Sequence, residues 1–286
     1  MQNEDTFIRN ISDTAFWVAV YRAWENERVE ALFRDPFATR LAGLRGEEIL
    51  KGMPAVLGSE WAFVTRTYLF DSFIMEQVSA GVDLVVNLAA GLDARPYRLA
   101  VPATLHWIEV DLPDMIRYKE EILKNEKPLC QLERIATDLA DGEERRRLFA
   151  GLNLRGRKTL IITEGLIIYF PVGEVKAFSK DLAAQANFKF WVTDLASPGL
   201  VKLMMKQIGK ELQSASAPLQ FGPEEGPGFF DPLGWHATKV RSMLKTAAKL
   251  KRVNWFFQLM ARVPESDVRK GSRPWSAVCL MERTQA

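Results

Sequence analysis

The sequence predicts an α/β protein whose mostly parallel sheet is covered by helices on both faces, a doubly wound arrangement. Apolar segments of strand length alternate with helical segments of about 10 to 15 residues, the pattern of successive β–α–β units. Residues 82–88 (VDLVVNL) are almost continuously apolar, as expected for a strand buried on both faces, and we take them as the first, central strand. A chain of 286 residues is long enough for one large domain with an elaboration, although two domains remain open.

The sequence before this strand predicts that residues 1–80 form a helical cap, and residues 81–286 are predicted to form the core. Helical segments are expected at 14–27, 37–43 and 60–80, the first capped by Ser12 or Asp13. Glycine and proline residues interrupt the chain between 43 and 58. We expect these helices to form a lid, because no strand pattern occurs among them.

The sequence after the central strand predicts four more strands, each followed by a helix, and then two final strands. Segments 106–111, 131–139, 158–170 and 188–195 are strand-like, with the fourth strand ending near Glu164 and Gly165. An insertion at about 197–234 contains a methionine-rich helix and FGPEEGPGFFDP, which is too rich in glycine and proline for regular structure. Residues 234–241 suggest an edge strand, and the apolar residues 275–283 a last strand inside the sheet.

Composition limits the classes of partner. The chain has 38 basic and 36 acidic residues, a formal net charge of +2, so we expect a small-molecule partner and neither nucleic acid nor membrane. Cys130 and Cys279 are far apart, and neither His106 nor His236 has a ligand-spaced neighbour. These spacings predict free thiols and no metal site. The first ten residues lack a signal-peptide pattern, so we expect a cytoplasmic protein.

Small and acidic residues recur where the predicted strands end. Ala89, Ala90 and Gly91 follow the central strand, and acids stand at the ends of the next three, as Asp111, Asp138 and Glu164. The carboxyl ends of parallel strands share one edge of the sheet, where ligands bind. Small residues let a ligand approach the backbone, and an acid after the second strand can accept from both ribose hydroxyls. The pattern fits an adenosine-type cofactor, either S-adenosylmethionine or NAD.

Several motifs in order resemble a known family. NLAAGLDARPYRL, IEVDLP, ATDL and ITEGLIIYF, with SDTAFWVAVYRAWENER before them and RPWSAVCLMER after them, resemble the leucine carboxyl methyltransferase-like family. The likeness is to its bacterial branch of S-adenosylmethionine-dependent, polyketide-type O-methyltransferases and covers about residues 12 to 283. It implies a Rossmann-like class I methyltransferase fold with a seven-stranded sheet. Asn87 and Ala89 depart from the general methyltransferase pattern, which places an acid and a glycine there.

The resemblance also implies roles for nine residues toward S-adenosyl-L-methionine. The methionine carboxylate is assigned to Arg66 and Arg22, and the methionine amine to Glu164. The methionine and ribose would lie along Ala89, Ala90 and Gly91, and Asp111 would hold the ribose hydroxyls. The adenine edge is assigned to Asp138 and Leu139.

The implied reaction is in-line methyl transfer to a carboxylate or hydroxyl of a small molecule. A carboxylate acceptor needs no base, whereas a phenol would benefit from one. No pattern in the sequence indicates which residue would act as that base, so no catalytic residue is assigned. Tyr169, Trp191 and Trp235 are candidates to line a pocket, but we expect them to pack in the core. An NAD-dependent oxidoreductase and a non-catalytic nucleoside-binding protein remain as alternatives.

Overall fold

One seven-stranded sheet organises the molecule. The computed structural model describes residues 12–52, 59–215, 217–263 and 274–284. The strand order is β3-β2-β1-β4-β5-β7-β6, and β7 runs antiparallel to both of its neighbours while the other pairs are parallel. The strands are β1 (Leu84–Leu88), β2 (His106–Asp111), β3 (Gln131–Ala136), β4 (Thr159–Thr163), β5 (Phe188–Ala196), β6 (Trp235–Ser242) and β7 (Ser276–Arg283).

Ten α-helices surround this sheet within the described ranges. Three precede the first strand, and the others follow or connect later strands. Their bounds are α1 (Asp13–Glu27), α2 (Ala38–Gly52), α3 (Glu60–Ser79), α4 (Arg95–Arg98), α5 (Pro113–Leu123), α6 (Gly142–Asn153), α7 (Val172–Ala183), α8 (Pro198–Ser214), α9 (Met243–Lys249) and α10 (Trp255–Arg262). In the described part of the chain, no helix is long and apolar enough to cross a membrane.

The central strand is buried on both faces, as its apolar sequence predicts. All five residues of β1 are buried. Leu84, Val86 and Leu88 pack in one hydrophobic cluster with α6 and α7, while Val85 packs in a second with α3. Successive side chains of a strand point to opposite faces, so β1 joins both layers of the core.

Most of the predicted elements are confirmed, and three are corrected. β6 lies at the edge of the sheet and β7 inside it, as predicted. β3 ends at Ala136, not at Asp138 and Leu139, because the chain turns there. The Gly226–Leu233 segment, predicted to be irregular, is a 3-10 helix ended by Gly234 at φ +91°. α2 continues to Gly52 past a kink at Gly43, well beyond the predicted 37–43.

The helices before β1 take two positions. α1 packs along α2, and the ideal Cβ position of Gly46 lies 2.8 Å from Val20 Cγ2, which shows how close the two helices are. α1 also crosses the turn after β1, where Ala15 Cβ is 3.2 Å from the ideal Cβ position of Gly91. α3 instead buries Phe70 and Phe73 against the sheet. The site therefore has the sheet edge on one side and α1 on the other.

Candidate functional site

A cavity of about 270 Å³ lies at the carboxyl ends of the parallel strands, between the sheet edge and α1. This edge is where open α/β sheets bind ligands. The structure brings together there all nine residues that were predicted to bind a cofactor: Arg22, Arg66, Ala89, Ala90, Gly91, Asp111, Asp138, Leu139 and Glu164.

The turn after β1 is held by Asp111 at the end of β2. Asp111 Oδ2 accepts a hydrogen bond from the Gly91 N–H at 2.6 Å, and Oδ1 accepts one from the Leu112 N–H at 2.7 Å. Burial raises the pKa of Asp111, and these two N–H groups oppose that rise. Each carboxylate oxygen can accept a further hydrogen bond, so Asp111 can clamp the turn and still accept from a ligand hydroxyl.

Ala89 occupies a backbone conformation that favours glycine. Its φ is +54°, and Gly91 two residues later has a φ of +49°. Ala89 stands where many methyltransferases have a glycine, and the structure keeps the glycine-like geometry despite the side chain. Asn87 stands in place of an acid and donates from Nδ2 to Asp93 Oδ2 at 2.7 Å. An acid at position 87 would repel Asp93, which explains the amide.

Glu164 lies between Arg66, which is partly buried, and Arg95, which is buried. Arg66 Nε donates to Glu164 Oε1 at 3.1 Å, and Arg95 Nη1 lies 2.8 Å from Glu164 Oε2. Burial by itself lowers the pKa of Arg66, but the Asp194 and Glu164 carboxylates outweigh it and raise that pKa, so the guanidinium stays charged. The cavity wall therefore carries a fixed cation beside a fixed anion.

Asp194 completes this arrangement and is absent from the sequence prediction. Its Oδ1 accepts from the Gly165 N–H at 2.7 Å, and its Oδ2 lies 3.3 Å from Arg66 Nη1. Burial raises the pKa of Asp194, against the lowering effect of Arg66. Asp194 lies inside β5, two residues before its end, so the strand-end rule that identified the other acids does not identify it.

A further buried network lies beneath the turn. Arg95 Nε donates to Asp71 Oδ1 at 2.6 Å, and its Nη1 donates to Asp93 Oδ2 at 2.9 Å. Arg98 Nη1 donates to the same Asp71 at 2.7 Å. The signal for this network is the DARPYR sequence after Gly91, but its partner Asp71 lies on α3, and no local pattern links the two.

Arg22 lines the cavity, but two of its donors serve the fold. Its Nε donates to Asp35 Oδ2 at 2.9 Å, and its Nη2 donates to the Leu92 carbonyl oxygen at 2.5 Å. The first bond ties α1 to the loop between α1 and α2, and the second ties α1 to the turn that follows β1. The role of Arg22 toward a ligand carboxylate stays a prediction.

The side of the cavity that the sequence assigns to adenine is more open. Asp138 is exposed, and its Oδ1 accepts from the Ala140 N–H at 2.9 Å, while Leu139 beside it is buried. The bond to Ala140 uses one carboxylate oxygen of Asp138 and leaves the other able to accept a further hydrogen bond. The predicted contact of Asp138 and Leu139 with an adenine edge fits this geometry and stays a prediction.

Aromatic side chains close the other wall. Trp17, Phe63 and Tyr169 line the cavity. Tyr169 packs against a hydrophobic core cluster and also lines the cavity, whereas Trp191 and Trp235 are completely buried in the core, as predicted. Tyr169 reaches the cavity because β4 stops at Thr163 and the chain then turns through Gly165. Burial raises the pKa of Tyr169, so its phenol is protonated at neutral pH.

Neither histidine is available as a base at this site. His106 begins β2, at the sheet edge opposite the cavity, and His236 lies on β6 with Nδ1 2.9 Å from Asp231 Oδ1. Across the described ranges, no group of three or more His, Cys, Asp or Glu side chains is arranged to hold a metal. The acids on the wall are engaged by arginines or backbone N–H groups, which suits ligand binding better than proton abstraction.

Solved structures of other proteins share this fold. One, a DUF574 family protein from Streptomyces avermitilis, superposes with a TM-score of 0.61 at 10% identity, covering 98% of this chain and 99% of that one. Another, provisionally named a methyltransferase from Thermobifida fusca, has a TM-score of 0.59 at 14% identity and covers 98% of this chain and 97% of that one. Such identities establish the fold alone. The sheet order and the strand-end cavity define a Rossmann-like class I methyltransferase fold.

The sequence comparisons identify the family. The chain belongs to the leucine carboxyl methyltransferase family, whose model matches residues 15–183. A relative from Frankia alni is 32% identical over 237 residues, which cover 78% of this chain and 82% of the relative. A relative from Mycobacteroides abscessus is 32% identical over 202 residues, which cover 67% of this chain and 62% of the relative. A relative from Rhodococcus jostii is 35% identical over 172 residues, which cover 57% of this chain and 58% of the relative.

All three relatives carry the provisional name of an S-adenosyl-L-methionine-dependent methyltransferase. The chain spans less than two thirds of the length of those from M. abscessus and R. jostii. The predicted family and fold are confirmed, and the shared name identifies S-adenosylmethionine, not a nicotinamide, as the cofactor of the family.

Proposed function

We propose that this protein is an S-adenosylmethionine-dependent O-methyltransferase that acts on a small molecule, with a carboxylate preferred to a hydroxyl as acceptor. The observation that carries the proposal is the charged end of the cavity. Arg66 and Glu164 lie there side by side, and Asp111 stands at the end of β2, one strand away from β4 across β1. A cofactor with an amino-acid end and a ribose needs a cation, an anion and a hydroxyl acceptor arranged in this way.

The residues present fit that cofactor. The Arg66 guanidinium suits a carboxylate, because its planar fork can make two parallel hydrogen bonds. Glu164 can accept from an ammonium group, and Asp111 keeps acceptor capacity for ribose hydroxyls after holding Gly91. The backbone at Ala89 and Gly91 has little side chain, so a ligand can approach it closely.

The chemistry requires little of the protein beyond orientation. Bound S-adenosylmethionine supplies a methyl group on a positively charged sulfur that is already a good leaving group. The chain has to bind and orient both reactants and exclude water, and orientation of this kind can contribute roughly 7–11 kcal/mol to a bimolecular reaction. α1 and the aromatic wall of Trp17, Phe63 and Tyr169 are placed to exclude water.

The preference for a carboxylate acceptor rests on the side chains of the wall. A carboxylate is ionised at neutral pH and attacks without a base, whereas a phenol gains from a group that removes its proton. Both histidines lie away from the cavity, and the Glu164 and Asp111 carboxylates are hydrogen-bonded. A protonated Tyr169 can donate to an acceptor but cannot deprotonate it.

Two measurements test the proposal. Isothermal titration with S-adenosylmethionine, S-adenosylhomocysteine and NAD should show binding of the first two and none of NAD. Transfer of radiolabelled methyl to a panel of carboxylic acids and phenols should then give a product that releases methanol in mild base, since esters hydrolyse under these conditions and ethers do not. A base-stable product would contradict the carboxylate acceptor, and binding without any transfer would favour a non-catalytic nucleoside-binding protein.

A further inference from the structure

Helix α10 turns an apolar face outward. None of its residues is buried, and Trp255, Phe256, Leu259 and Met260 are 44% to 78% exposed. At about 100° per residue these four side chains, with Val263 just beyond the helix, fall within one arc of about 140°. We call this arc the α10 face.

The opposite side of α10 is seated on the protein, which fixes the orientation of the helix. Phe257 packs against Trp61 at the start of α3, with ring centroids 5.5 Å apart. Gln258 Nε2 donates to the Ala248 carbonyl oxygen at 2.8 Å, and Asn254 Oδ1 caps the helix by accepting from the Phe257 N–H at 3.1 Å. Because these contacts use the inner side, the α10 face points away from the protein.

The segment that contains α10 is rich in basic residues. Residues 235–263 include seven lysines and arginines and no aspartate or glutamate, although the net charge of the whole chain is only +2. Acids from other elements pair with three of the seven: Glu25 lies 3.0 Å from Arg252 Nη2, and Glu76 lies 2.9 Å from Lys239 Nζ and 2.5 Å from Arg241 Nη2. Lys249 and Lys251, shortly before α10, and Arg262, in its last turn, are exposed.

We propose that the α10 face docks on the surface of an anionic phospholipid bilayer. Trp, Phe, Leu and Met side chains on one side of a helix, with basic residues beside them, are the composition of helices that lie in a membrane interface. Each basic residue near such a surface adds attraction to anionic headgroups. This proposal departs from the expectation, drawn from the overall charge, that no membrane is a partner.

Two other occupants fit less well. A second copy packed face to face would bring Lys249, Lys251 and Arg262 close to the same cations of its partner, and like charges oppose that contact. An acidic protein partner would satisfy the charges, but it would need an apolar groove to match the arc. A bilayer supplies both anionic headgroups for the basic residues and an apolar acyl-chain region for the α10 face.

Docking here would also place the cavity near the membrane. α10 contacts Trp61, and Phe63, two residues further along α3, lines the cavity. An apolar acceptor could then pass from the bilayer to the cavity over a short distance. This consequence rests on the proposed function, whereas the docking itself does not.

Vesicle flotation with the full-length protein, without cofactor or acceptor, tests the docking. One set of vesicles is phosphatidylcholine alone, and the other is an equimolar mixture with phosphatidylserine. We expect binding to the mixed vesicles that falls with added salt, and at least about tenfold weaker binding to the neutral ones. The double variants Trp255→Ser/Leu259→Ser and Lys249→Gln/Lys251→Gln should each lose most of the binding.

A matched control is Leu154→Ser, because Leu154 is 84% exposed after α6, outside the α10 face. It should bind like the unmodified protein, and circular dichroism should show that all variants are folded. Loss of binding in the control, or no binding to mixed vesicles, would overturn the proposal. So would a dimer in light scattering that Trp255→Ser/Leu259→Ser converts to a monomer, since the face would then be a contact between copies.

Discussion

Asp194 bridges Arg66 and the turn that follows β4. One carboxylate oxygen accepts from the Gly165 N–H at 2.7 Å, and the other lies 3.3 Å from Arg66 Nη1. Arg66 in turn donates from Nε to Glu164 at 3.1 Å. Two strands and α3 are thus tied together at the charged end of the cavity, and the guanidinium has a defined orientation there.

Asp194→Asn should therefore weaken S-adenosylmethionine binding by about tenfold, or about 1.4 kcal/mol. An amide can still accept from Gly165, but it loses the charge that holds Arg66. Titration calorimetry measures the effect, and methyl transfer at saturating cofactor should change much less. Tighter binding in the variant would show instead that Asp194 competes with the ligand for Arg66.

Gly165→Ala should weaken cofactor binding, whereas Gly81→Ala should not. Both glycines have positive φ, at +67° and +90°, so alanine at either position should cost about 1 kcal/mol of folding free energy. A Cβ on Gly165 would lie 3.1 Å from Arg66 Nη1, whereas nothing lies within 4 Å of one on Gly81. Equal cofactor affinities for the two variants would argue against a binding role for Arg66.

Ala89→Gly should leave cofactor binding intact and raise the free energy of unfolding by about 0.5 kcal/mol. Ala89 has a φ of +54°, a conformation that costs an alanine more than a glycine. The control is Ala90→Gly, whose alanine is not among the positive-φ residues and which should destabilise by roughly 0.5–1 kcal/mol. Urea unfolding compares them, and equal losses in both would contradict strain at Ala89.

Asp111→Asn should weaken S-adenosylmethionine binding by more than about 1 kcal/mol and also cost about 1–3 kcal/mol of stability. The amide has one acceptor oxygen, so either the Gly91 or the Leu112 N–H loses its partner. Asp141→Asn is the matched control, because Asp141 also accepts from two N–H groups, of Glu143 and Glu144, at the start of α6. Calorimetry should find normal binding in the control, and a normal affinity for Asp111→Asn would refute the ribose role.

Stability should fall in acid partly through Asp93. Burial alone would raise the pKa of this carboxyl, but Arg95, with Lys119, Arg98 and Arg22, lowers it from 3.8 to about 2. A lowered pKa stabilises the fold above the unfolded-state value. The contribution, about 2 kcal/mol, is therefore present at neutral pH and lost between about pH 4 and pH 2.

Denaturant unfolding measured across this pH range checks the contribution of Asp93. Asp93→Asn should be less stable at neutral pH, because Arg95 loses a buried partner. Its stability should also fall less steeply than that of the unmodified protein below about pH 4. An unchanged slope would mean that other carboxylates dominate the acid transition.

The strand-end rule explains how much of the site could be predicted. Asp111, Asp138 and Glu164 follow apolar strands, and parallel strands bring such residues to one edge whatever the details of packing. Asp194 lies within β5, two residues before its end, so this rule does not identify it. Asp71 does not obey the rule either, because it lies on α3 and reaches Arg95 through the packing of that helix on the sheet.

The sequence alone determined the class of fold, the order of the strands and the acidic and small residues at their ends, because hydrophobic periodicity and strand-end chemistry are local properties. The resemblance to a family supplied the rest of the nine residues that line the cavity, including Arg22 and Arg66. The tertiary structure decided which charges meet, such as Arg66 with Asp194 and Arg22 with Asp35. It also decided that α10 turns its apolar face outward. These relationships join residues distant in sequence, and packing determines them because a buried charge requires a partner wherever the fold provides one.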